Sequence, residues 1–85
     1  MNHATRSLSE ITKALLAMGV AAEEERSNVA VPIGLDHYLA VGHEGGRFPA
    51  DLMTNDGSTV VASVTCGDLV AVAALVDAFK AVRLS

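Results

Sequence analysis

The 85 residues amount to one domain, and chain-length scaling buries roughly 63% of the surface on folding, enough for a thin two-layer fold but not for a deep interdomain cleft. Apolar residues make up 51%, with 14 Ala and 11 Val, which excludes a disordered chain. Ten acids against six bases leave a net charge of −4, the bases Arg6, Lys13, Arg26, Arg47, Lys80 and Arg83 are scattered, and Tyr38, Phe48 and Phe79 are the only aromatics; the positive footprint and the stacking platform of a nucleic-acid binder are both missing.

Residues 1–6 read as a loose terminus. Ser7-Leu8-Ser9-Glu10 matches a capping box, in which hydroxyl and carboxylate each satisfy the other residue's backbone amide. Leu8, Ile11, Leu15 and Met18 then line one face of a helix over about 8–18, and Gly19 stands where a left-handed cap is wanted. The run Glu23-Glu24-Glu25-Arg26 reads as a solvated connection, with a docking patch for a basic partner or an irregular strand edge as the alternatives.

From Val29 the period becomes two. Val29, Val31 and Ile33 form a strand that Pro32, lacking a ladder donor, confines to a sheet edge. After a turn at Gly34-Leu35-Asp36, residues His37, Leu39, Val41 and His43 share a face of a second strand. Glu44-Gly45-Gly46 turns into a third strand, with Phe48, Ala50 and Leu52 on one face. At Asn55-Asp56-Gly57 a three-residue loop, Gly57 left-handed, is preferred. It sets Leu52 opposite Val60, Ala50 opposite Ala62 and Phe48 opposite Val64, making one face wholly apolar. The fourth strand covers about 58–65. Asp68 caps a second helix over about 69–82, striped by Leu69, Val72, Val76 and Phe79, with Arg83 favourably placed near its C-terminal end.

Short connections make the sheet an antiparallel meander. The expected class is α+β, a two-layer α-β-β-β-β-α fold, with an antiparallel four-stranded meander and both helices packed on one face. Its core should comprise Leu8, Ile11, Leu15, Leu39, Val41, Phe48, Leu52, Val60, Val64, Leu69, Val72, Val76 and Phe79. The order of elements is similar to that of double-stranded-RNA-binding domains, whose basic helix terminus is missing here. It is also similar to that of the dimeric chaperones of bacterial secretion systems, which are small and acidic; no motif carries either likeness.

No phosphate loop, HExxH, CxxC or GxSxG occurs. His37 and His43 lie six residues apart on one strand, about 20 Å at 3.3 Å per residue. That is too far for one metal, so they read as strand-end histidines, with a site shared across a dimer axis as the remote alternative. His43-Glu44 beside two glycines reads as a polar turn rather than an acid/base pair, since a general base needs firm positioning. Cys66 shares the parity of the core face and precedes Asp68, whose charge disfavours a thiolate; a buried structural cysteine is expected. A single cysteine forms no internal disulfide and suits a reducing compartment. Glu10 and Lys13 interrupt any signal-peptide core, and no apolar run approaches the roughly 18 residues of a membrane span. The expectation is a cytoplasmic protein with no membrane or nucleic-acid partner and no cofactor or metal.

Residues 59–65 carry no charge, Pro or Gly, and in a meander this strand is a free edge that invites pairing with another chain. The second helix is apolar over more than one stripe. Both features predict a non-catalytic interaction module acting as a homodimer, with Thr59, Val61, Ser63 and Thr65 at the interface. The alternative is a small-molecule-binding protein or minor enzyme with a site at a dimer groove near His37, Tyr38 and Asp51.

Overall fold

A computed structural model describes residues 7–82; the loose terminus expected at 1–6 and the cation at Arg83 lie outside the described residues. Helix α1 spans Leu8–Ala17, and five strands follow: β1 Glu23–Glu24, β2 Val29–Ile33, β3 His37–Val41, β4 Phe48–Thr54 and β5 Val60–Cys66. Helix α2, Leu69–Ala81, closes the order. The sheet is an antiparallel meander in the order β1-β2-β3-β4-β5. One strand more is present than the sequence predicts, because part of the acidic run pairs: Glu23 with Ala30 and Glu24 with Val29.

Local chemistry sets the helix ends. Ser7 Oγ accepts from the Glu10 amide and Glu10 Oε1 from the Ser7 amide, both at 3.1 Å, the reciprocal capping box. At the other end Gly19 has φ +83°. Its amide donates to the Leu16 carbonyl at 3.0 Å, and the Val20 amide donates to that of Leu15 at 2.9 Å. These are the two bonds of a Schellman cap. The cap folds Val20 back onto the helix, where both Val20 and Leu15 are buried. Asp68 caps α2 by accepting from the Ala71 amide at 2.8 Å.

The core lies between the sheet and the helices. Ile11, Leu15, Val29, Val31, Ile33, Leu39, Val41, Leu52, Val72 and Val76 are its most buried members. Helix α1 lies against β1 and β2, while α2 lies against α1, β2, β4 and β5. Two helices about 10 Å wide cover about 20 Å, roughly four strands at 4.8 Å spacing. With β1 taking up part of that cover, the fifth strand lies at its rim. Accordingly Val64 is 41% exposed rather than a core residue, and Leu8 and Phe79 are only partly buried, while Val60, also expected in the core, is 52% exposed through the register of the last hairpin.

The last hairpin also departs from the expected register. Asp56 accepts hydrogen bonds from Thr54 Oγ1 at 2.7 Å and from the amide and hydroxyl of Ser58 at 3.0 and 2.8 Å. These bonds draw Ser58 into the loop, which closes where the Thr54 amide donates to the Thr59 carbonyl at 3.0 Å. Gly57 is left-handed as predicted, φ +73°. The register nevertheless shifts between Leu52 and Met53, leaving Val61 as the extra residue of a bulge. Met53 then faces Val60, Leu52 faces Ala62, Ala50 faces Val64 and Phe48 faces Cys66. Val60 thereby joins Met53 and Tyr38 on the open face of the sheet.

Candidate interaction edge

The backbone of the outer strand can be oriented from two bonds. The Gly42 amide donates to the Pro49 carbonyl at 2.8 Å, so Pro49 faces β3, and the Thr54 amide donates to Thr59, so Thr54 faces β5. Alternation along β4 therefore turns the polar groups of Phe48, Ala50 and Leu52 toward β5. Their partners Cys66, Val64 and Ala62 use their own groups on β4. The amides and carbonyls of Ser63 and Thr65 consequently point outward from the sheet.

Of the four residues expected at the interface, Ser63 and Thr65 thus carry free ladder groups, and both are exposed. Val61 sits in the bulge, 48% exposed. Thr59 precedes the strand, and its backbone is held by Thr54, whose Oγ1 accepts from the Thr59 amide at 3.2 Å. The bulge is one of the devices that blunt a free edge, and the sequence reading found none here. It lies at the start of β5 and leaves Ala62–Cys66 in regular pairing. Sequence reasoning missed Val64 as an edge residue. Its parity is that of the core, and only the extent of the helix layer uncovers it.

The opposite edge is built differently. The Pro32 strand is not the edge the sequence predicts, since β1 pairs outside it, but β1 stops short of Pro32. Pro32 pairs with Tyr38 while the β2 groups facing β3 are those of Val29, Val31 and Ile33, so its ring nitrogen faces the side that β1 leaves open and no ladder bond is lost. Next to it β1 offers only Glu23 and Glu24.

Beside β5 on the covered face runs α2. Val70 lines a cleft of about 470 Å³ with Ala14 and Met18 of α1 and with the ring of His43. That places α1 on the Val70 flank. At 100° per residue, Leu75, Phe79 and Val82 occupy the other flank, toward β5; Leu75 and Phe79 are partly buried and Val82 is exposed. Apolar groups therefore continue from the exposed Val64 of β5 onto the helix.

The three ligand candidates do not converge. His37 shares the covered face with Leu39 and Val41, half-buried, with its Nδ1 enclosed and lacking a hydrogen-bond partner. Tyr38 and Asp51 lie on the open face, Tyr38 opposite Met53 and Asp51 opposite Ala40. A shallow cleft of about 310 Å³ touches Tyr38, Pro32, Glu23 and Asn55. Asn55 is tied to the β2–β3 turn, its amide donating to the Asp36 carbonyl at 2.9 Å and its side chain to the Leu35 carbonyl. His43 stacks on Phe48 with ring centroids 4.9 Å apart and planes 14° apart. Among the described residues no three His, Cys, Asp or Glu side chains come together as a metal site. Cys66 is buried, as its parity predicts; burial, and then the Asp68 charge, push its thiol pKa up from the usual 9.0.

No family model, curated protein or solved structure matches the chain.

Proposed function

We propose that the chain is a small, cytoplasmic, non-catalytic protein-interaction module that works as a homodimer. The observation that carries this reading is β5, a seven-residue edge strand without charge or proline. Five of its residues are exposed, and its outward amides have no strand partner among the described residues. Exposed ladders of this kind pair with other strands, and main-chain bonds supply the affinity. The scatter of titratable groups supports a non-catalytic role: His37, Tyr38 and Asp51 occupy two faces, and the thiol is held protonated. Sedimentation over a micromolar concentration series is the test. The reading requires a species of twice the 8.8 kDa chain mass, and a chain that stays monomeric at high micromolar concentration removes it.

The Tyr38 cleft favours a second reading, a small-molecule-binding protein. A ligand seated there would raise the melting temperature by mass action, and a Tyr38→Ala substitution would abolish that rise.

A further inference from the structure

The geometry points to one specific assembly: a second copy pairs with β5 antiparallel about a twofold axis at Val64, joining two five-stranded sheets into one of ten strands. The inference rests on the homodimer reading above and adds its register and its partner surface.

The choice of occupant follows from the two edges of the sheet. Pairing β5 to the far edge of another copy would make open, head-to-tail chains. That edge offers two glutamates and then Pro32, which has no donor to give. Pairing β5 with β5 is closed and isologous. It places no charge opposite a like charge, because Val60–Cys66 contains none.

The register follows from the bulge. Regular pairing runs over Ala62–Cys66, whose centre is Val64. With the axis there, Ser63 of each copy faces Thr65 of the other. Both residues point their amides and carbonyls outward, so the two pairs exchange four backbone hydrogen bonds. Val64 meets its own copy as a non-hydrogen-bonded pair, the closer of the two antiparallel spacings, about 4.5 Å between Cα atoms. Both Val64 side chains stand on the helix-covered face, so the contact covers a valine that the single chain leaves 41% exposed. An axis at Ser63 would instead need Val61, the bulged residue, to pair with Thr65.

Strand pairing alone falls short of the roughly 800 Å² per partner of a stable interface. The α2 flank of Leu75, Phe79 and Val82 lies beside β5 on the same face, and the exposed Val82 adds apolar area there. It completes the buried surface.

Two variants of the full chain test the register. In a Cys66→Ser background, Val64→Cys should form an intermolecular disulfide under mild oxidation. The Cα spacing of the pair falls within the range a disulfide spans, about 4.4–6.8 Å. Ser63→Cys should cross-link more slowly. Ser63→Pro removes an outward donor only, so it should stay folded by circular dichroism and sediment as a monomer at concentrations where wild type is dimeric. If wild type is dimeric but Ser63→Cys cross-links faster than Val64→Cys, or folded Ser63→Pro remains a dimer, the Val64 axis is wrong while the homodimer stands. If wild type is monomeric, both fall. Should Ser63→Pro unfold, the relative cross-linking rates decide alone.

Discussion

Ala50 and Val64 face each other across β4 and β5 on the same side of the sheet, yet Ala50 is 1% exposed and Val64 41%. The boundary of the helix layer runs between them. A core-type valine left outside that boundary is what the proposed dimer contact would cover.

Leu39 lies on the covered side of that boundary, fully buried between Val31 and Leu52. Leu39→Ala should cost about 2–5 kcal/mol in a urea titration, a large share of a small domain's total of about 5–15 kcal/mol. Phe79 is only partly buried. Phe79→Ala should therefore cost less than the roughly 3–5 kcal/mol of a fully buried phenylalanine. A loss of 5 kcal/mol or more there would place Phe79 in the core after all.

Val60 is outside the boundary for a different reason. The bulge turns it toward Met53 on the open face, 52% exposed. Val60→Lys should keep the far-ultraviolet spectrum and shift stability by no more than about 0.5 kcal/mol, as surface substitutions do. An unfolded Val60→Lys chain would restore the register in which Val60 faces Leu52.

The loop before Val60 should carry a pH signature. Hydrogen bonds from Thr54, then from Ser58, lower the Asp56 pKa from the usual 3.8 to about 2. Because the folded value is the lower one, the carboxylate's contribution to stability is whole above 3.8 and is lost as pH falls through about 2. A carboxyl carbon titration by NMR should place the Asp56 midpoint near 2. A midpoint near 3.8 would mean that the turn does not hold its carboxylate.

Cys66 should be inert in the native chain. Burial and the Asp68 charge both disfavour the thiolate, which is the reactive form. Alkylation by iodoacetamide at neutral pH should be slow in buffer and fast in urea. Equal rates in the two would place the thiol at the surface.

The fold was legible in the sequence wherever a side chain's role depends on its nearest neighbours along the chain. Ser7 and Glu10 cap each other three residues apart, Gly19 has the freedom to end α1, and the alternation of Val29, Val31 and Ile33 marks a strand whatever lies above it. So too was the buried Cys66. The grouping of His37 with Tyr38 and Asp51 is one the structure does not bring together, because pairing of β3 with β4 sets Tyr38 and Asp51 on one face and His37 on the other. The signal for β1 was weaker, because three glutamates in a row have no period and become a strand only when Ala30 and Val29 lie alongside. Tertiary structure decided the edge itself. Burial of Val64 depends on how many strands share two helices. Pairing of Glu23 and Glu24 with β2 spends helix cover on the far side, and no local pattern in residues 60–66 records that. The sequence alone determined that β5 is uncharged; only the three-dimensional arrangement determined that Val64 is left exposed on its covered face while Ala62 and Cys66 are not, because coverage is a property of the whole layer and not of any strand within it.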